Sequence, residues 1–236
     1  MIVVKVGGSL YDHPALGPAL RAFVESLQPA EVLFVPGGGE VADAVRALDR
    51  THALGEEAAH WVALRALSVT AAFLERIVGR PTPPGPPSLK GRGENSRIAS
   101  CASDMRSGSE VLFSPLPFPP ARGSFADRAG ERGEGGPGGV GPRVLDCYTF
   151  AREDESRPGA LPHTWDVTTD SIAARAARVF GAERLVLLKS VDVPAGSSWE
   201  DAAANGWVDA HFPGIAALLR CPVEAVNFRA KLDAHA

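Results

Sequence analysis

Two lysines stand where a lysine is costly. Lys5 lies within "MIVVKVGGSL" and Lys189 within "ERLVLLKSVDV", each near the end of an apolar run. A charge on a buried strand needs an opposite charge or an anionic ligand beside it. Gly7, Gly8 and Ser9 follow Lys5 at once. Consecutive glycines let the backbone come close to a ligand and aim N–H groups at an anion. A neighbouring lysine supplies a point charge for a phosphate. A second glycine turn, "VPGGGE", places Gly37, Gly38 and Gly39 between a strand and a helix, with no side chain to obstruct an anion there. Taken singly, each turn serves as well as a tight connection, with the lysine reaching solvent. Two such turns after two separate strands are more specific: one can hold a donor phosphate and the other an acceptor. Neither GxxxxGK[ST] nor GxGxxG occurs, so neither a Walker-type NTPase nor a standard dinucleotide fold is supported.

The third chemical feature is "HTWDVTTDSIAA". Asp166 and Asp170 are four apart, with the hydroxyls of Thr168, Thr169 and Ser171 around them. Ordinary helix capping by Thr168 or Thr169, with an acid favoured in the first turn, explains one or two of these residues. It does not explain all of them, and Asp170 is expected to have a functional role. His163, beside Pro162, reads as a solvated loop histidine, and Trp165 as core or a stacking wall.

These residues must be positioned by the elements around them. Residues 2–6 and 32–35 read as short buried strands. Residues 16–27 show helical spacing, a helix follows Gly39, and 55–78, without proline, reads as one long helix. Segment 80–142 changes character: it holds 11 Pro and 12 Gly in 63 residues, over a third of its length. That exceeds the roughly 25–30% at which composition argues for disorder. It is expected to be a low-complexity insertion inside one domain spanning 1–236. Beyond it, "RVLDCYTF" (143–150) reads as a strand, a helix starts near Thr168 or Thr169, and "ERLVLLKSVDV" is a buried strand. "GIAALLR" then reads as a short helix and "PVEAVNF" as a closing strand. Strands alternating with helices imply an α/β fold with a mainly parallel sheet covered on both faces. Ligands gather at the carboxyl ends of strands in such sheets.

Bulk properties narrow the class. A formal net charge of −4 with no basic stripe argues against nucleic-acid binding. Cys101, Cys147 and Cys221 are scattered, odd in number and form no CxxC pair, which fits inert thiols in a reduced compartment. "MIVVKV" is too short for a signal-peptide core, and no apolar run approaches the roughly 20 residues needed to span a bilayer. A cytoplasmic protein with no membrane partner is expected.

Together, "VVKVGGSL", "FVPGGGEVADAVR", "TTDSIAA" and "LVLLKSVDV" resemble the amino acid kinase superfamily, which includes the aspartate, acetylglutamate, uridylate and isopentenyl phosphate kinases. The resemblance covers roughly 1–79 and 143–230. It implies a three-layer αβα sandwich and a phosphotransferase using ATP and Mg²⁺ on a small-molecule substrate, in a homo-oligomer. It further implies that Lys5 neutralises the transferring phosphoryl group and that Gly7, Gly8 and Ser9 cradle donor phosphates. Gly37, Gly38 and Gly39 approach the acceptor, and Asp170 holds the catalytic lysine. Lys189, Ser190 and Asp192 line the nucleotide site. No protein ligand set for a metal is assigned.

The sequence departs from that pattern. The late catalytic lysine of many members has no counterpart in "NGWVDAHFPG", where His211 or Lys189 would have to substitute. "VDG" is replaced by "VDVPAG", no histidine precedes the PGGG loop, and the 236 residues show no aspartokinase-type regulatory domain. "LPHTWDVTTDSIAA" followed by "GWVDAHFP" is most similar to a subgroup that phosphorylates (5-(aminomethyl)furan-3-yl)methyl phosphate in methanofuran and related one-carbon cofactor biosynthesis. That substrate's ammonium would need a carboxylate, Asp166 or Asp209, with Thr168 beside it in the substrate site. The alternatives are another kinase of the superfamily, acting on a carboxylate or a nucleoside monophosphate, or a non-catalytic nucleotide- or oxoanion-binding protein of the same fold.

Overall fold

The computed structural model describes residues 1–79 and 141–234. Five parallel strands form one sheet in the order β3-β2-β1-β4-β5. They are β1 (Ile2–Val6), β2 (Val32–Pro36), β3 (Arg143–Val144), β4 (Arg184–Lys189) and β5 (Val223–Asn227). A 3-10 turn, Gly8–Leu10, follows β1. The helices are α1 (Leu16–Ser26), α2 (Gly39–His52), α3 (Glu56–Val78), α4 (Cys147–Asp154), α5 (Thr169–Val179), α6 (Trp199–Ala204), α7 (Phe212–Ala216) and α8 (Phe228–Asp233). The expected α/β architecture with a parallel sheet between helical layers is what the chain forms.

Side-chain alternation along the strands makes the layers. Val3, Leu33, Val35, Leu185 and Leu187 point to one face, against α4, α5, α7 and the first half of α3. Val4, Val6, Phe34, Val186 and Leu188 point to the other, against α1, α8 and the end of α3. Both strand faces are therefore apolar, as a sheet covered on two sides requires. The same period of two puts Lys5 on the Val3 face and Lys189 on the Leu187 face, which are one and the same. In register, Lys5 stands opposite Leu187, so Lys189 lies two residues further along the neighbouring strand.

Several boundaries differ from expectation. The strand read over 143–150 is only Arg143–Val144; Asp146 then accepts a hydrogen bond from Thr149 N at 2.7 Å and starts α4. The capping carboxylate overrides the β-favouring types after it. The helix read in "GIAALLR" begins earlier, at Phe212, with Pro213 in its first turn, and ends at Ala216. The closing strand is followed by α8, capped by Asn227, and α6, capped by Ser198, joins the elements read from sequence. The insertion expected over 80–142 lies, but for residues 141–142, outside the described residues.

A buried ion pair braces the α4–α5 side. Arg175 donates from Nε and Nη2 to the two oxygens of Asp154, at 2.7 and 2.8 Å. Among the described residues, no helix is long and apolar enough to cross a membrane, and Cys147 and Cys221 are free thiols.

Candidate active site

The carboxyl ends of β1, β2 and β4 meet the start of α5. Thr168 caps this helix, its Oγ1 accepting from Asp170 N, and Asp170 falls in the first turn. That turn overlies the sheet face bearing Lys5 and Lys189. Lys5 Nζ lies 2.9 Å from Asp170 Oδ1, and Lys189 Nζ lies 2.6 Å from Oδ2. All three residues are buried, at 6%, 8% and 4% exposure respectively for Lys5, Lys189 and Asp170. The Lys189 contact is a hydrogen bond. The Lys5 contact is a close ion pair on the other oxygen.

Two ammonium groups and one carboxylate leave a net positive charge in a low-dielectric pocket. Burial pushes the Asp170 carboxyl up, but the charges of Lys5 and Lys189 outweigh it and hold the group below the ordinary carboxylate range. Burial first, and the Lys5 charge second, lower Lys189 to about 8 against the partial pull of Asp170. Such a cluster is complementary to a further anion, because an incoming negative charge would balance the surplus positive one.

The glycine turns flank this cluster and touch each other. A Cβ on Gly8 would stand 2.2 Å from Gly39 N, and one on Gly37 would stand 2.3 Å from Gly8 N. Only glycines allow the two turns this approach, which explains part of the pattern without any ligand. The approach also brings together two helix starts, the 3-10 turn and α2, whose first amides have no intrahelical carbonyl to bond. Ser9 Oγ meets Ser190 Oγ at 2.8 Å, tying the first turn to the end of β4. Tyr11 donates to the Gly37 carbonyl at 3.0 Å, and burial raises its hydroxyl pKa. Arg229, from α8, bonds the Ser9 carbonyl and Asp12.

On the far side of the turns, a cavity of about 280 Å³ is lined by α2, α3 and the loop into α5. Gly39, Ala42, Asp43 and Arg46 present one face of α2 to it, and His60, Leu64 and Leu67 one face of α3. Trp165 forms a wall. Its ring is covered by the Arg46 guanidinium at 5.0 Å, and its Nε1 donates to Asp49 at 2.8 Å. A larger groove of about 650 Å³ opens on the other side of the same turns, beside Tyr11, Phe73 and Arg229.

Thus the structure brings together Lys5, Asp170, Lys189, both glycine turns, Ser9 and Ser190, with Thr168 on the cavity. Lys189, rather than His211, is the second cation on Asp170. Asp166 is exposed and Asp192 likewise, and neither lines the two hollows. Asp209 is engaged by the protein itself. Its Oδ2 accepts from Thr168 N, Thr168 Oγ1 and Ser171 N. Its Oδ1 accepts from Ser171 Oγ, His211 N and Phe212 N. Six bonds saturate the lone pairs of a carboxylate, so Asp209 acts as a clasp joining the starts of α5 and α7.

His163 is no solvated loop residue. Its ring stacks on His60 at 4.9 Å and its Nδ1 meets Glu57 Oε2 at 2.8 Å. Sequence reasoning missed Asp43, Arg46 and His60. The signal available was helical spacing: the residues at i+3, i+4 and i+7 from Gly39 share its face.

No family model matches the chain. A stretch of 78 residues, 33% of the chain, is 33% identical to the (5-(aminomethyl)furan-3-yl)methyl phosphate kinase of Methanocaldococcus jannaschii and covers 36% of that protein. Stretches of 63 residues, 27% of the chain, are 35% and 33% identical to the holo-acyl-carrier-protein synthases of Clavibacter michiganensis and Clavibacter sepedonicus, covering 53% of each. The chain therefore spans between about a third and a half of the length of these curated relatives.

Proposed function

We propose that the protein is an ATP-dependent phosphotransferase acting on a small phosphorylated or carboxylated metabolite, with (5-(aminomethyl)furan-3-yl)methyl phosphate as the first candidate. The observation that carries the reading is the pair of lysines on one buried carboxylate, set at the strand ends between two glycine turns. The partial likeness to a kinase supports the same reaction class. The named acceptor rests on that likeness and on the motif resemblance alone.

The residues present fit an ATP site. Phosphoryl transfer asks for positioning and positive charge on the transferring oxygens rather than covalent chemistry from the protein. Asp170 holds both ammonium groups on the sheet face. Lys5, an ammonium with three N–H donors, holds Asp170 and can turn another donor to a phosphoryl oxygen in transit. Lys189 serves the donor side beside Ser190. The Gly7 amide is spent on the Leu188 carbonyl at 2.9 Å, so the Gly8 and Ser9 amides receive donor phosphates, and the amides of the Gly37–Gly39 turn face the acceptor. Mg²⁺, when bound with the donor, would supply further positive charge against its phosphates. In this reading the 280 Å³ cavity takes the acceptor.

The test is ADP release from Mg-ATP with the furan phosphate and with a panel of other phosphate and carboxylate acceptors. Lys5→Ala is expected to lower kcat by roughly 100-fold or more, the scale seen when a group stabilising transition-state charge is removed. Activity that survives Lys5→Ala unchanged would sink the assignment. Nucleotide binding without turnover on any acceptor would identify a binding protein instead.

A further inference from the structure

The acceptor cavity carries a histidine that the phosphoryl-transfer scheme leaves without a role. His60 is 7% exposed, on the face of α3 that also presents Leu64 and Leu67 to the cavity. Its ring is locked by aromatic neighbours: His163 stacks on it at 4.9 Å with 25° between planes, and Trp61 meets it edge-on at 5.6 Å. Trp61 also meets His163 at 4.7 Å. Glu57 anchors both neighbours, accepting from Trp61 Nε1 at 2.8 Å and bonding His163 Nδ1 at 2.8 Å. Three side chains, on α3 and in the loop before α5, thus fix one imidazole in the wall of the cavity.

We propose that His60 is a specificity-determining residue of the acceptor site, a neutral imidazole that accepts a hydrogen bond from an O–H or N–H of the acceptor, with His163 and Glu57 as positioning residues that hold its ring. This rests on the phosphotransferase reading. A neutral imidazole has one N–H and one lone pair. The ring lines the cavity wall, where its lone-pair nitrogen can meet a donor of the acceptor. Stacked imidazoles cannot both carry charge without repulsion. Burial, and then the charge of His163, lower the His60 pKa, with the Thr164 backbone and Glu57 pulling the other way.

The other charged groups around the ring are accounted for. Asp154 and Glu155, across a small void beside His60, are paired with Arg175 and Arg152. Asp43 and Arg46, across the main cavity, are paired with each other. Acid therefore turns His60 from an acceptor into a donor, and acceptor binding weakens as pH falls through its pKa, below the ordinary 6.5.

The experiment uses the full chain, with (5-(aminomethyl)furan-3-yl)methyl phosphate as probe, and measures kcat and both KM values from pH 5 to 8. In the wild type, acceptor KM should rise toward tenfold per pH unit on the acid side, with ATP KM flat. His60→Phe, which keeps a ring in the stack, should raise acceptor KM about tenfold or more at pH 7.5, the loss falling on KM rather than kcat, and should flatten the acid limb to the part owed to the probe's own phosphate, whose second pKa is about 6. His60→Gln, which restores an acceptor oxygen, should recover part of the lost affinity. An acceptor KM equal to wild type in His60→Phe, or an acid limb there as steep as in wild type, overturns the proposal. Imidazole NMR adds a readout independent of turnover: His60 should titrate below 6.5, move upward in His163→Phe, and shift on adding the probe. If no acceptor yields ADP, the phosphotransferase reading fails; an unshifted His60 resonance on adding the probe then overturns this proposal as well.

Discussion

At the scale of single residues, the site is an electrostatic device. Asp170 keeps two ammonium groups buried, and its depressed pKa makes its stabilisation complete above the ordinary 3.8, lost only as acid takes the pH through the lower folded value. Lys189 works in the opposite sense. Its pKa falls from 10.5 unfolded to about 8 folded, so between those values the unfolded chain holds the extra proton. Stability contributed by this group therefore rises with pH across that window, and the charged lysine disfavours folding below it. In the phosphotransferase reading, function needs the charged form. kcat/KM for ATP is expected to fall as pH rises through about 8, and Lys189→Arg, which stays charged, should move that limb upward. A pH profile identical in wild type and Lys189→Arg would contradict this role.

At the scale of elements, the site depends on helix starts being held against strand ends. Asp209 joins α5 to α7 through six hydrogen bonds, and Asp209→Ala would strand buried donors on both helices. Each unmet buried group costs about 1–3 kcal/mol, so a loss of at least about 3 kcal/mol in denaturant unfolding is expected. A loss under about 1 kcal/mol would mean that the clasp is ornamental. The contact between the glycine turns makes a different prediction. In Gly8→Ala the new Cβ would meet Gly39 N at 2.2 Å, so the turns must part. Misplacement on the order of 1 Å can cost about 100-fold in rate, and kcat should fall by roughly that amount while most of the fold's stability remains. Unchanged kcat would show that the turns do not position reacting groups.

At the scale of the whole molecule, one parallel sheet organises everything described, and both flanks of the Pro/Gly-rich segment belong to the layers around it: α3 before, β3 after. The composition of 80–142 predicts that replacing 82–140 by a short flexible linker leaves a soluble, cooperatively folding protein. Thermal unfolding and solubility of the shortened chain check this, and loss of soluble protein would refute it.

The sequence by itself determined the main strands and longer helices and their order. Runs such as "IVVKV" and "RLVLLK" are apolar on both faces, and a strand buried on both faces can do little but enter a parallel sheet between helices. Glycine before α2 and α3 and Thr168 before α5 marked three of the helix starts. It also marked Lys5, Asp170 and Lys189 as charges needing partners, because their cost is local and visible in one dimension. Tertiary structure alone decided the pairing. Lys5 and Lys189 are 184 positions apart, and only adjacency of β1 and β4 places both on one carboxylate. The same holds for what sequence misjudged. Asp146 ended a strand by capping α4, Asp209 spent its lone pairs on two helix starts, and His163 was drawn from its loop onto His60 and Glu57. The Asp146 cap is local, on Thr149 N three residues on, but for Asp209 and His163 the deciding partners lie on other elements, where local propensity carries no information about whether a polar group will meet water, a helix end or a ligand.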